Sequence, residues 1–108
     1  VYNMDEAKNH SEGVVVEGVF DVFKIGVQGM CLFGKKPSAQ QLKILSALFK
    51  RSRLIWVPDE NDPDAIVTAE KIVSRKDVKD MFNQLEIRRL PFGDPGGFTR
   101  EDLWKIIK

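Results

Sequence analysis

Glu17 stands at the end of a run of β-branched residues, Val14-Val15-Val16, and Asp21 follows four positions later. A second acidic string, Asp59-Glu60-Asn61-Asp62, follows the apolar run Leu54 to Val57 and its closing Pro58. A further acid, Asp94, sits in the turn-forming string Gly93-Asp94-Pro95-Gly96-Gly97. Neighbouring carboxylates repel and raise one another's affinity for protons unless a cation lies between them. A hard divalent ion with oxygen ligands is the economical answer. Mg²⁺ takes one or two carboxylates and keeps water and substrate phosphate oxygens in its other positions. Lys35 and Lys36 follow Gly34 after the apolar run Met30 to Phe33, a placement suited to meeting phosphate. The Walker pattern is absent, so the segment is not a P-loop. Arg88 and Arg89, with Arg51, Arg53, Arg75 and Lys76, supply cations for a strip along a nucleic-acid backbone.

Each of these groups also has an ordinary role. A carboxylate at Glu17 favours the N-terminus of a following helix. Asp21 alone is most often a solvated helix residue. Asp59 to Asp64 alone is an acidic turn, because Asn, Asp and Pro are turn formers. The same string lacks the glycine and the terminal glutamate of an EF-hand loop. Solvated surface is the default for most of the basic residues. What sets the acids apart is that they fall after predicted strands.

Those strands come from short apolar runs: Val14 to Val16, Met30 to Phe33, Arg53 to Val57, and the more alternating Glu86 to Leu90. Between them lie helical stripes. Phe20, Phe23 and Val27 mark a short helix from Val19 that ends by Gly26 or Gly29. Leu42, Leu45, Leu48 and Phe49 mark a second, opened by Ser38 and Gln41 at capping-box spacing. Ala65, Ala69, Ile72 and Val73 mark a third, and Val78, Met81 and Phe82 a fourth with Asp77 as its cap. Leu103, Ile106 and Ile107 mark a last helix capped by Thr99, with Asp102 at the capping spacing. Short apolar strands alternating with amphipathic helices predict an α/β domain: a sheet of about four strands, mostly parallel, with helices on both faces. In open parallel sheets the ligand crevice lies at the carboxyl ends of the strands, which is where the acids fall. Gly18 would let the chain turn sharply there from strand into helix.

At 108 residues the chain suits one domain with a modest core. Residues 1–12 are polar and unperiodic and read as a lead-in from a preceding domain; residues 13–108 form the domain itself. The net charge of +1 excludes a global field for nucleic acid or membrane. The single cysteine, Cys31, fits a reducing cytosol and an inert buried thiol. No apolar run is long enough to span a bilayer. Trp56 and Trp104 lie in periodic apolar runs and read as core.

The pattern of apolar strand, Glu17-Gly18-x-x-Asp21, and a later strand ending in Pro58-Asp59-Glu60-Asn61-Asp62 before an alanine-bearing helix resembles the Toprim domain, a compact Rossmann-like fold. Tyr2-Asn3 with Ala7-Lys8, Gly29 to Gln41, and Leu90-Pro91-Phe92-Gly93-Asp94-Pro95 resemble flanking segments of DnaG-type bacterial and phage primases. The resemblance implies metal-dependent nucleotidyl transfer, making RNA primers on single-stranded DNA from nucleoside triphosphates in the cytoplasm, at the bacterial nucleoid or in a phage-infected cell. It implies catalytic roles for Glu17 and Asp59, and Mg²⁺ or Mn²⁺ held by Glu17, Asp21, Asp59 and Asp94. It also implies a replicative helicase as a partner docking through regions outside this chain. The family's second Asp of Asp-x-Asp falls on Asn61, or on Asp62 across a one-residue bulge, and both stay open. Gly96 replaces the last acid of the closing motif. The alternatives are a Toprim-type nuclease using the same acids and a non-catalytic binding module. Tyr2, the only tyrosine, precedes the fold, which argues against topoisomerase chemistry.

Overall fold

The computed structural model of the chain describes residue 3 and residues 12–17, 19–26, 28–31, 37–49, 53–82, 84–93 and 95–107, except the side chains of Val19, Phe20 and Phe23. Four strands, β1 (Glu12–Val16), β2 (Gly29–Cys31), β3 (Arg53–Trp56) and β4 (Gln84–Ile87), form one sheet in the order β2-β1-β3-β4. Every pairing in it is parallel. The helices are α1 (Val19–Ile25), α2 (Ala39–Phe49), α3 (Pro63–Ser74), α4 (Lys76–Met81) and α5 (Arg100–Ile107), with a 3₁₀ turn at Pro95–Gly97. The domain is the expected α/β sandwich with helices on both faces.

The faces follow from the strand order. The chain steps outward from β1 to β2, then returns over β1 to β3 and continues to β4. Right-handed crossovers put the helix of the outward step on one face and those of the return steps on the other. Successive strand residues alternate between the faces. Val14, Val16, Cys31 and Ile55 therefore pack with Val22 and Ile25 of α1 and Leu103 and Ile107 of α5. Val15, Met30, Leu54 and Trp56 pack with Leu42, Leu45 and Phe49 of α2, Ala69 and Ile72 of α3, and Val78 of α4. Trp56 and Cys31 are buried, as expected.

The cap signals at Ser38 and Thr99 act as expected. The Ser38 amide donates to Gln41 Oε1 at 2.8 Å and the Gln41 amide donates to Ser38 Oγ at 3.1 Å. The Asp102 amide donates to Thr99 Oγ1 at 3.2 Å. α1 ends at Gly26, whose φ of 102° requires a residue without a side chain. Beyond it Gly29 lies so close under α1 that a Cβ there would sit 2.9 Å from Ile25 Cβ.

Several local expectations are corrected. Asp77 does not cap α4. Arg75, extended at φ −67° and ψ 135°, is both the C-cap of α3 and the N-cap of α4. Asp77 falls inside the first turn and pairs back with Arg75 Nη2 at 2.6 Å. The last strand runs Gln84–Ile87 rather than Glu86 to Leu90, because register with β3 pairs Arg53 with Gln84 and Trp56 with Ile87. Leu90 lies past the strand and is buried in the opposite core, beside α1 and α5. β1 begins at Glu12, one residue inside the predicted lead-in, where Arg53 Nη1 meets its carboxylate at 2.9 Å. The described inward residues of α1 are Val22 and Ile25. The expected Phe20 and Phe23 side chains, Val27, and Leu32 and Phe33 of the second strand lie outside the described residues.

Among the described residues no helix is long and apolar enough to cross a membrane.

Candidate functional site

The order β2-β1-β3-β4 has its topological switch point between β1 and β3, where successive connections leave to opposite sides. The crevice of such a sheet opens there, at the carboxyl ends of the strands. Glu17 follows directly on Val16 at the end of β1 and is half-buried. Asp21 lies in the first turn of α1, also half-buried. The Val57 amide donates to the Val15 carbonyl at 2.9 Å, so β3 stays bonded to β1 one residue past its formal end. Pro58 is buried, and Asp59 emerges half-buried beside the same edge.

The turn after β3 is tightly organised. Asp59 Oδ1 accepts from the Asn61 amide at 2.8 Å. The Asp59 carbonyl accepts from the Asp62 amide at 3.1 Å. Asp62 is the N-cap of α3 and its Oδ1 accepts from the Ala65 amide at 3.3 Å. Asn61 is exposed at the tip. Between the two residues left open for the second acid, then, the turn makes Asp62 a helix cap and Asn61 a surface amide. Pro63 in the first helical position is the local signal for this, since proline favours that position and an Asp before it favours the cap. An ionised carboxylate has about four acceptor sites on its two oxygens, so one amide bond does not exhaust Asp59 as a ligand.

The segment after β4 closes against this turn. The Glu60 amide donates to the Gly93 carbonyl at 2.8 Å, and Gly93 turns the chain at φ 67°. Arg89 pairs with Glu60, its Nε reaching Oε2 at 3.3 Å and its Nη2 reaching Oε1. The hydrogen bond to Glu60 is the main cause that raises the Arg89 pKa further above its ordinary value. Arg88 turns the other way. Its Nη2 meets Glu86 Oε2 at 3.3 Å, and Glu86 also accepts from Arg53 Nε at 2.5 Å. Arg53 thereby bridges Glu12 and Glu86 near the amino ends of the strands, and the hydrogen bond to Glu86 is the main cause raising its pKa.

The structure thus places Glu17, Asp59 and Asp62 in the two loops that leave the central strands, and Asp21 in the first turn of α1. It gives Arg88 and Arg89 carboxylate partners within the fold. Lys35, Lys36, Asp94 and Gly18 lie outside the described residues. Among the described residues no group of three or more His, Cys, Asp or Glu side chains is gathered tightly enough to hold a metal ion. The donor set at the edge is all carboxylate and amide oxygen, the chemistry that suits Mg²⁺ or Mn²⁺.

Two features of this edge carry no strong sequence signal. Glu60 sits inside the acidic string, and its partner Arg89 is distant in the chain, so only the fold joins them. Phe92 is 64% exposed and its ring stacks on Phe98. Its flanking turn formers, Pro91 and Gly93, were the available signal. Behind the edge, Trp104 Nε1 donates to the Ile25 carbonyl at 2.9 Å and Arg100 Nε to the Lys24 carbonyl at 3.1 Å. These bonds tie α5 to the C-terminus of α1, the helix that carries Asp21.

The chain matches no protein-family model, no curated protein and no solved structure in comparisons with each.

Proposed function

We propose that the chain is the Toprim catalytic module of a DnaG-type DNA primase, carrying out metal-dependent nucleotidyl transfer to make RNA primers on single-stranded DNA. The observation that supports this best is the departure of Glu17 and Asp59 from adjacent central strands at the switch point of a β2-β1-β3-β4 sheet. In this reading Glu17 and Asp59 are the principal ligands of Mg²⁺ or Mn²⁺, with Asp21 supporting from α1 and Asp94 from the closing turn. A divalent ion bound there would neutralise triphosphate charge and lower the pKa of the attacking primer hydroxyl. The carboxylates would hold it in place, and the rigid strand behind Glu17 would limit their movement. Lys35 and Lys36 would meet phosphate. Template single strands, nucleoside triphosphates and a helicase acting through regions outside this chain would be its partners, in the cytoplasm.

Mn²⁺ titration of the chain and of Glu17→Gln tests the site directly. The expected result is binding by the parent and its loss in the variant, with thermal stability retained. Equal binding by both would refute the assignment. Metal-dependent dinucleotide synthesis, once the chain is joined to an upstream primase subdomain, tests the reaction. Its absence, together with Mn²⁺-dependent nicking of plasmid DNA that Glu17→Gln abolishes, would move the reading to a Toprim nuclease.

One observation favours a second reading. Asn61 is neutral, and among the described residues no group of three or more His, Cys, Asp or Glu side chains is gathered tightly enough to hold a metal ion. A non-catalytic module would bind DNA equally well with and without EDTA.

A further inference from the structure

Single exposed apolar side chains are common on protein surfaces and by themselves mean little. Phe92 differs in how it is held. Its ring centroid lies 5.1 Å from that of Phe98, with the planes 29° apart. Phe98 is itself packed against the core between the sheet and α1 and α5. On one side of Phe92, Leu90 is buried; on the other, Pro95 is buried. The turn between them is pinned to the acidic turn by the Glu60–Gly93 backbone bond and the Arg89–Glu60 ion pair. An aromatic face is therefore presented to solvent on a braced mount, in a turn bonded to the acidic turn at Glu60.

We propose that Phe92, backed by Phe98, is a stacking platform for a nucleobase of single-stranded nucleic acid. A flat aromatic ring accepts any base on its face, so it grips a strand without reading sequence. A base stacked there sets its own phosphate and sugar alongside the acidic edge, where a divalent ion would meet them. Duplex DNA hides its base faces and cannot use the platform. The proposal rests on the reading of the carboxylate edge as a site acting on nucleic acid.

The test is fluorescence anisotropy of a labelled oligothymidylate, and of the matching duplex, titrated with the chain in Mg²⁺ at fixed low salt. Phe92→Ala and Phe92→Leu should each weaken single-strand binding about tenfold. Phe92→Trp should retain it, and duplex binding should change in none of them. Because the side chain is exposed, all three variants should melt with the parent. Unchanged single-strand affinity in Phe92→Ala, full retention in Phe92→Leu, an equal loss on duplex, or no single-strand binding by the parent would each overturn the platform. Mn²⁺ titration of Glu17→Gln separates the two readings. Loss of Mn²⁺ binding there with an inert Phe92→Ala refutes the platform and leaves the metal site standing. The opposite pair of results keeps the platform and removes the metal site.

Discussion

Replacing Gly29 with alanine should loosen the joint that seats α1. Gly29 opens β2 and pairs with Val14 of β1. A Cβ at this position would lie 2.9 Å from Ile25 Cβ, 3.1 Å from Ile25 Cγ2 and 3.2 Å from the Val22 carbonyl oxygen, where ordinary contact begins at 3.4 Å. The nearest pair must therefore open by about 0.5 Å. Neither Ile25 Cβ nor the Val22 oxygen can leave by a change of rotamer, so α1 must move as a body. It is also held by the bonds from Trp104 and Arg100 to its last carbonyls. Overpacking of this kind costs about 1–3 kcal/mol. With a melting shift of about 4–8 °C for each kcal/mol in a domain near this size, a cost of about 2 kcal/mol lowers Tm by roughly 8–16 °C. Thermal unfolding followed by far-UV circular dichroism, with urea titration to confirm an unchanged m-value, reads the effect. Gly97→Ala is the matched control: nothing lies within 4 Å of its added Cβ. It should leave stability unchanged, or raise it slightly by narrowing the unfolded ensemble. If Gly29→Ala and Gly97→Ala melt alike, the close seating of α1 on β2 is wrong, and the placement of Asp21 that depends on it falls too.

Gly13→Ala should cost less, about 1–2 kcal/mol, because the nearest atoms its Cβ would meet are side-chain ends, Phe49 Cε1 at 2.7 Å and Met30 Cε at 2.8 Å, rather than backbone or a Cβ. A double-mutant cycle with Phe49→Leu should show the clash relieved as a favourable coupling. Asp62→Ala should lose about 1 kcal/mol as the α3 cap is removed, whereas Asp62→Asn should keep most of it in urea unfolding. The hydrogen bond from Arg75, its largest cause, holds the Asp77 carboxyl below its ordinary value of 3.8. The folded value lies below the unfolded one, so the pair's contribution is complete above about pH 4 and fades as pH falls through the folded value. The stability gap between the parent and Asp77→Asn, measured by urea unfolding across acid pH, should close in that direction and stay small, because both groups are exposed.

The signals that act within one element were legible in the chain. Ser38 with Gln41 and Thr99 with Asp102 each satisfy helix-end amides a few residues away, so their partners are contained in the local string. The β-branched run before Glu17 and the apolar run before Asp59 define strands by composition, and alternation with helices makes the sheet parallel. The carboxyl edge then follows, and with it the common location of Glu17 and Asp59. Pro63 marks Asp62 as a cap within the same string, whereas the two-way use of Arg75 displaces Asp77 from that role.

What only the tertiary structure decided involves groups far apart in the chain. Which cations are spent inside the fold is one such matter. Arg89 meets Glu60, and Arg53 joins Glu12 to Glu86, because β3 lies between β1 and β4; no spacing along the chain encodes those meetings. The limits of β4 are another, since register with β3 ends the strand at Ile87 and sends Leu90 into the opposite core. The exposure of Phe92 belongs here as well. Its apolar composition points inward, and only the closure of its turn onto the acidic loop turns the ring out to solvent. Local free energies choose elements; the geometry of closing those elements on one another chooses which charges and rings remain for function.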